Sequence, residues 1–435
     1  MILQGNCLEK LKELEPNSVD SIVTDPPYEL GFMGKAWDNT GIANNKEMWA
    51  ECLRLLKPGG YLLSFGGTRT YHRMAVAIED AGFEVRDMIE WVYGSGFPKS
   101  YNVSKGIEGI LTNGSASWND FHKLNGELGE AKAQGSNGLV KLNTEQGNRP
   151  TKYASHGTLK LEPTTEQAKQ WEGWGTALKP AHEPICMARK PLAEKTVAEN
   201  VLKWGVGGIN IDESRVGTED TRQKTGGAIE GSGWGTKGGA IAGSDLGRFP
   251  ANLIHDNSEE VRECFPEAKG GAYPKERGNS GIGFASGRLS GDQPAHQMGD
   301  SGKASRFFKS IIYQAKASKS ERNKGCEELE EKKSELNSGG IGRKISVEKR
   351  LSDGDGVNAP KSFNTHPTVK PIALMEYLIK MVTPKGGIVL DPFAGSGSTL
   401  VAAKQNGFKY IGIELTPEYI PIIEARLNGV KDRLI

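Results

Sequence analysis

Cysteine is scarce. Five stand at 7, 52, 186, 264 and 326, with no CxxC pair and no His/Cys cluster at metal spacing. That spacing excludes a zinc site or a disulfide framework as the basis of the fold and fits a reducing, cytoplasmic setting. Long apolar runs are missing too, so no stretch is expected to span a bilayer. The N-terminal MILQGNCLEKLKELE carries charge too early for a signal peptide. Charge of one sign is also lacking: 55 Lys and Arg face 54 Asp and Glu. The whole-chain field therefore selects no partner, and only a local basic patch can.

What is present falls into three zones. In 1–94, helical spacing at 8–14, 47–56 and 71–81 alternates with strand pattern at 18–24, 61–65 and 83–93, and KPGG at 57–60 reads as a turn. Such alternation implies α/β structure with a parallel sheet. The middle zone, 95–360, holds most of a glycine surplus of 57 in 435 residues, about 13% against an average near 7%. Only short islands carry pattern there: strands at 183–188 and 307–315, and a helix at 196–204. From 361 to 435 compact α/β pattern returns, beginning with an amphipathic helix over 371–382 that carries proline in its first turn. The economical reading is one α/β core split between the chain ends, with a loop-rich region inserted.

The segment IVLDPFAGSGST (388–399) is a strand, a glycine loop and a helix start. Gly395 and Gly397 let backbone approach a ligand, and the following helix aims its N-terminal amides into the same space. Glu414 lies nineteen residues past Gly395, at the end of the next strand, where an acid can accept hydrogen bonds from both hydroxyls of a ribose. A phosphate-binding P-loop is excluded, because no Gly-Lys-Ser/Thr follows. The dinucleotide pattern GxGxxG lacks its third glycine. S-adenosylmethionine, with a ribose, an adenine and an amino-acid end, suits the unit better than NAD, which stays open.

Residues 24–28 read TDPPY, directly after the apolar run 19–23. Two prolines cannot continue a strand, since each fixes φ and lacks a donor. A plain strand-exit turn is the bland reading. With the glycine loop in view, the sequence resembles the β-group amino DNA methyltransferases, which modify adenine N6 or cytosine N4. TDPPY looks like their catalytic motif, DPFAGSGST (391–399) their cofactor loop, and HPTVKP (366–371) the segment that closes over the cofactor. GNCL (5–8) sits where many members carry Gly-Asp, so Asn6 departs from the pattern.

The resemblance implies a Rossmann-like methyltransferase sheet with helices on both faces, built from both chain ends. It assigns 95–360 to target recognition. It implies S-adenosylmethionine held by Asn6, His366, Lys370, Asp391, Phe393, Ala394, Gly395, Ser396, Gly397, Ser398, Thr399 and Glu414. It implies catalysis by Asp25, Pro26, Pro27 and Tyr28 on double-stranded DNA, with no metal. A homodimer and a cognate restriction nuclease stay open as partners.

An exocyclic amine is a poor nucleophile because its lone pair is delocalised into the ring. A site must hold it in line with the methyl and draw electron density back onto nitrogen. Asp25 and the Pro26 carbonyl can each accept one amine hydrogen, and Tyr28 offers a face on which an extruded base can stack. An aspartate-led motif leans toward adenine within the family, and serine-led ones toward cytosine N4. RNA or a protein glutamine would suit the same chemistry. Methylation at cytosine C5 is excluded, since no cysteine follows a proline, and the Glu199-Asn-Val201 tripeptide is read as coincidence inside a helix.

Between 303 and 324 seven Lys and Arg face one acid, Glu321, with Phe307, Phe308 and Tyr313 interleaved. Lys303, Arg306, Lys309 and Lys316 are the candidates to track DNA phosphates, and Lys35 with Trp37 form a second candidate after TDPPY. Trp171, Trp174 and Trp204 read as anchors of a small core.

Overall fold

The computed structural model describes residues 1–30, 36–94, 96, 100–114, 163–216, 247–268, 302–311, 319–329 and 363–430. Two compact units form. One comprises 1–95, 181–332 and 361–435, the other 96–180 and 333–360.

The larger unit is organised by one sheet. Its strands are β1 (Ile2–Gln4), β2 (Val19–Thr24), β3 (Leu56–Phe65), β4 (Glu84–Val92), β5 (His182–Arg189), β6 (Leu253–His255), β9 (Lys309–Ser310), β10 (Ile388–Asp391) and β11 (Lys409–Glu414). Two further strands, β7 (Glu267–Ala268) and β8 (Gly302–Lys303), pair with each other alone. The order across the sheet is β1-β11-β10-β2-β3-β5-β4-β6-β9. Every neighbour is parallel except β5, which runs antiparallel to both β3 and β4. Both chain ends meet at its centre, where β10 lies between β2 and β11.

Period-two alternation along the central strands makes two cores. Tyr61, Leu63 and Phe65 of β3, Ile185 and Met187 of β5, and Val389 of β10 point to one face, covered by the helix Ile372–Val382. Leu62, Cys186, Ala188 and Leu390 point to the other, covered by the helices Cys7–Lys12, Lys46–Leu55 and Tyr71–Asp80. Helices on both faces of a mostly parallel sheet give the expected Rossmann-like layering. Sheets of this kind bind ligands beyond their strand C-termini, beside the strand where the order reverses.

Two local expectations need correction. KPGG at 57–60 does not separate a helix from a strand: β3 begins at Leu56, and the four residues form a register shift against β2. The run 307–315 is no single strand. A 3-10 turn spans Ala304–Phe307, only Lys309–Ser310 pairs, and 312–318 lie outside the described residues. The strand seen at 183–188 belongs to the main sheet, between β3 and β4. The helix Val197–Trp204 matches expectation, and Glu199 closes a capping box with Thr196, which gives that residue a structural reason.

In the smaller unit, the helix Val103–Asn113 is joined to 164–165 by Glu108. Burial alone would raise this carboxyl, but bonds from the hydroxyls and amides of Thr164 and Thr165 hold it at about 2. Trp171 and Trp174 stand edge to face, 5.1 Å apart, and are 42% and 59% exposed. They anchor no core. Among the described residues, no helix is long and apolar enough to cross a membrane.

Candidate active site

Strand β2 delivers Thr24 and Asp25 to the edge of the sheet where β10 delivers Asp391. The Thr24 hydroxyl donates to Asp391 Oδ1 at 2.6 Å, both residues being buried, so the two quoted motifs are tied at their strand ends. Thr24 carries no separate signal in the sequence.

Asp25 stands just beyond this tie. Its Oδ2 accepts a hydrogen bond from Lys370 Nζ at 2.8 Å, and its Oδ1 is buried with no partner. Lys370 also donates to Tyr28 Oη at 3.1 Å and lies 3.1 Å from Glu183 Oε2. The Tyr28 hydroxyl donates to that same Glu183 oxygen at 2.8 Å. The rings of Phe65 and Tyr28, 4.8 and 5.3 Å from Nζ, flank the ammonium. Pro26 is buried and Pro27 half-buried beside them. A Cβ on Gly67 would come within 3.2 Å of the Tyr28 side chain, so this glycine lets the ring pack closely.

Glu183 lies outside both motifs, and sequence reasoning misses it. It sits near the start of β5, and an antiparallel strand begins at the edge where its parallel neighbours end: Trp91 pairs with Glu183, and Phe65 with Ile185. A lone acid at the head of the apolar run PICMA is the one signal available.

Burial raises the Asp25 carboxyl, the Lys370 charge opposes that, and Glu183 adds to it. Burial would depress Lys370, but Asp25 and Glu183 reverse the balance, so the lysine is held well above its usual range as a cation. Burial first, then the two carboxylates, push Tyr28 far up, and its phenol is neutral.

The glycine loop follows β10. Gly395 and Gly397 adopt φ of +56° and +78°, and a Cβ on Gly395 would fall 2.9 Å from His366 Nε2. The Gly395 amide donates to Glu414 Oε2 at 2.7 Å and the Thr416 amide to Oε1 at 2.8 Å. Glu414 is therefore tied to the loop it was expected to face, and the Thr416 side chain bonds it as well. Asp391 also accepts from the Phe393 amide, and Thr399 bonds it from the helix Ser398–Gln405. Ala394 is buried and donates its amide to Ile413. Arg426, 3% exposed on the helix Ile420–Asn428, grips the loop through the Ser396 carbonyl at 2.6 Å and the Ser396 and Ser398 hydroxyls. Burial lowers it to about 10, where it is still a cation at neutral pH.

His366 sets its ring edgewise on Tyr419, 4.6 Å between centroids. Burial and then Arg322 and Arg426 hold it at about 3, a neutral imidazole. Asn6 caps the helix Cys7–Lys12, its side chain accepting from the Leu8 amide, while Gly5 donates to the Glu414 carbonyl. Lys370, expected among the cofactor residues, stands against Asp25.

The expected DNA residues separate. Lys303 is exposed. Arg306 lies over Phe307 at 4.4 Å, and Arg248 covers the same ring at 4.7 Å. Lys309 is half-buried over Tyr377, 4.8 Å from its centroid, and burial lowers its pKa. Arg322, in the same basic run, bonds the backbone carbonyls of Asn364 and His366, holding the HPTVKP segment in place of phosphate. Lys35, Lys316 and the Trp37 side chain lie outside the described residues.

Comparison with known proteins gives a consistent result. The DNA methylase family of the N6/N4 class matches residues 19–425. A putative methylase, YubD of Escherichia coli (strain K12), is 53% identical over 66 residues, 15% of this chain and 29% of that one. The type II methyltransferase M.HpaI of Haemophilus parainfluenzae is 34% identical over 116 residues, covering 25% and 37%. The matches thus span roughly a quarter to a third of these relatives' own length. Among solved structures, a DNA modification methylase from Thermus thermophilus, described as putative, aligns with TM-score 0.41 and 16% identity over 99% of this chain and 96% of that one.

Proposed function

The chain belongs to the N6/N4 DNA methylase family, and on that premise we propose that it methylates the exocyclic amine of adenine at N6 in duplex DNA. The methyl donor is S-adenosylmethionine, which supplies an activated sulfonium methyl when bound. The observation that carries the reading is the Thr24–Asp391 bond, because it ties the residue before Asp25 to the aspartate that heads the glycine loop.

The residues present fit the donor. Gly395 stands at positive φ, and its missing side chain lets the His366 ring pack directly against the loop backbone. Glu414 has acceptor capacity left for a ribose hydroxyl, and the neutral His366 ring adds no charge to repel a sulfonium. We assign the loop residues 391 and 393–399, with His366 and Glu414, to holding the donor, and Asn6 to shaping the turn beside them.

In the target pocket, Asp25 Oδ1 has no partner and is buried, a state that costs free energy until a donor arrives. One hydrogen of the amine satisfies it, and the Pro26 carbonyl takes the other. Both acceptors draw electron density toward the amine nitrogen, whose lone pair then points out of the base plane. Nitrogen–carbon bond formation breaks the sulfur–carbon bond, and the extra proton leaves afterwards through Asp25. The base is extruded to reach the pocket, at a cost of about a few kcal/mol, and stacks on Tyr28. The aspartate at the head of TDPPY favours adenine; cytosine N4 is the second reading. We place target recognition in the parts of 95–360 outside the sheet strands β5, β6 and β9, and the chain in the cytoplasm, where unpaired thiols persist. Long-read mapping of modified bases in DNA from cells expressing the protein tests this. The expected signal is N6-methyladenine at one recurring sequence, and N4-methylcytosine alone would end the adenine assignment.

A further inference from the structure

Glu183 belongs to neither motif, yet it completes the pocket. Lys370 donates to Asp25 Oδ2 at 2.8 Å and to Tyr28 Oη at 3.1 Å, and forms an ion pair with Glu183 Oε2 at 3.1 Å. Two acids, Asp25 and Glu183, therefore share one ammonium, and Tyr28 is a neutral phenol between them. The ammonium sits among Phe65, the Tyr28 ring and the prolines, where a low local dielectric strengthens its pairing. An amine nitrogen becomes positive as it bonds a methyl, and a second acid at Lys370 offsets the lysine's charge more fully than Asp25 alone.

We propose that Glu183 is a positioning residue for methyl transfer, drawing Lys370 away from sole pairing with Asp25, fixing the Tyr28 ring by its hydroxyl, and setting a second acid against the lysine charge. This rests on the amine-methylation reading and adds a residue from a strand that neither motif contains. The reacting atoms are touched by Asp25; Glu183 acts through Lys370 and Tyr28. Glu183→Gln is the matching perturbation, since a glutamine oxygen still accepts from Tyr28 while the charge is gone.

The test is single-turnover methyl transfer from S-adenosylmethionine to a methylatable duplex across pH, with the KM of each substrate and thermal unfolding measured alongside. The groups facing Asp25 are Lys370, Glu183, Tyr28 and Asp391. Burial raises its carboxyl most, and Glu183 raises it further against Lys370. Removing the Glu183 charge is thus expected to slow transfer roughly 10- to 100-fold, leave both KM values within about threefold, and move the acid limb of the rate profile to lower pH. Glu183→Asp keeps the charge and is expected to retain the wild-type acid limb, which keeps the proposal falsifiable if the glutamine variant folds poorly. An active wild type with an unmoved limb in Glu183→Gln overturns the proposal alone, as does a rate loss that merely follows the folded fraction. A wild type that methylates no amine overturns the proposed function as well.

Discussion

Asp391 offers a perturbation whose size follows from its surroundings. It is 2% exposed at the end of β10. Burial lifts its carboxyl from an ordinary 3.8 to about 6, while Thr24, Thr399 and the Phe393 amide pull the other way and Asp25 adds to the lift. Between about pH 4 and 6 the folded chain holds a proton here that the unfolded chain has released. Stability therefore falls as pH rises through that window and stays lower above it. The gap corresponds to about 3 kcal/mol. Asp391→Asn removes the charge but keeps an oxygen for Thr24 and Phe393. It should be more stable than wild type at pH 8 by up to about 3 kcal/mol, and should lose this contribution to the slope below pH 6. Urea unfolding at a series of pH values reads both quantities. An asparagine variant with the wild-type slope, or one that is less stable at pH 8, would refute the assignment of a buried, raised carboxyl.

The other expectations concern single contacts. Asp25→Ala should reduce methyl transfer by at least about 10² to 10³-fold while DNA binding, read by fluorescence anisotropy, stays within a few-fold; equal losses in both would remove the acid from catalysis. Gly395→Ala places a methyl 2.9 Å from His366 Nε2 at a φ of +56°. It should cost about 1–2 kcal/mol from backbone strain alone, with weaker binding of S-adenosylhomocysteine by calorimetry, and an unchanged affinity would sink the cradle. Lys303→Ala and Arg306→Ala should each lower the slope of log affinity against log salt by about one, and a slope unchanged in both would place phosphate tracking elsewhere.

Much of the fold can be read in the sequence because local pattern and long-range packing agree there. The alternation at 61–65 and the helical stripe at 371–382 each name the face that becomes core. The two motifs declare themselves because proline and paired glycines are conspicuous in any strand-end setting. What escapes depends on geometry that a local pattern does not carry. Nothing in HEPICMAR says that the strand runs antiparallel, and only that direction brings Glu183 to the pocket. Arg426 carries no signal of its own in the sequence, and its burial against Ser396 depends on how the last helix docks. Arg322 lies in the basic run and has no signal of its own in the sequence, yet two backbone carbonyls occupy it. KPGG carries every mark of a turn, yet it is absorbed into β3 as a register shift because pairing to β2 resumes on both sides.

The central physical claim is that an acid at one chain end and a glycine cradle at the other act on a single amine. Incubating the purified protein with duplex DNA and S-adenosylmethionine carrying a deuterated methyl, then analysing nucleosides by mass spectrometry, tests it most directly. The expected product is N6-methyladenosine's deoxy form bearing the intact labelled methyl, absent with Asp25→Ala. Label found on cytosine C5, or on no base at all, would contradict the account.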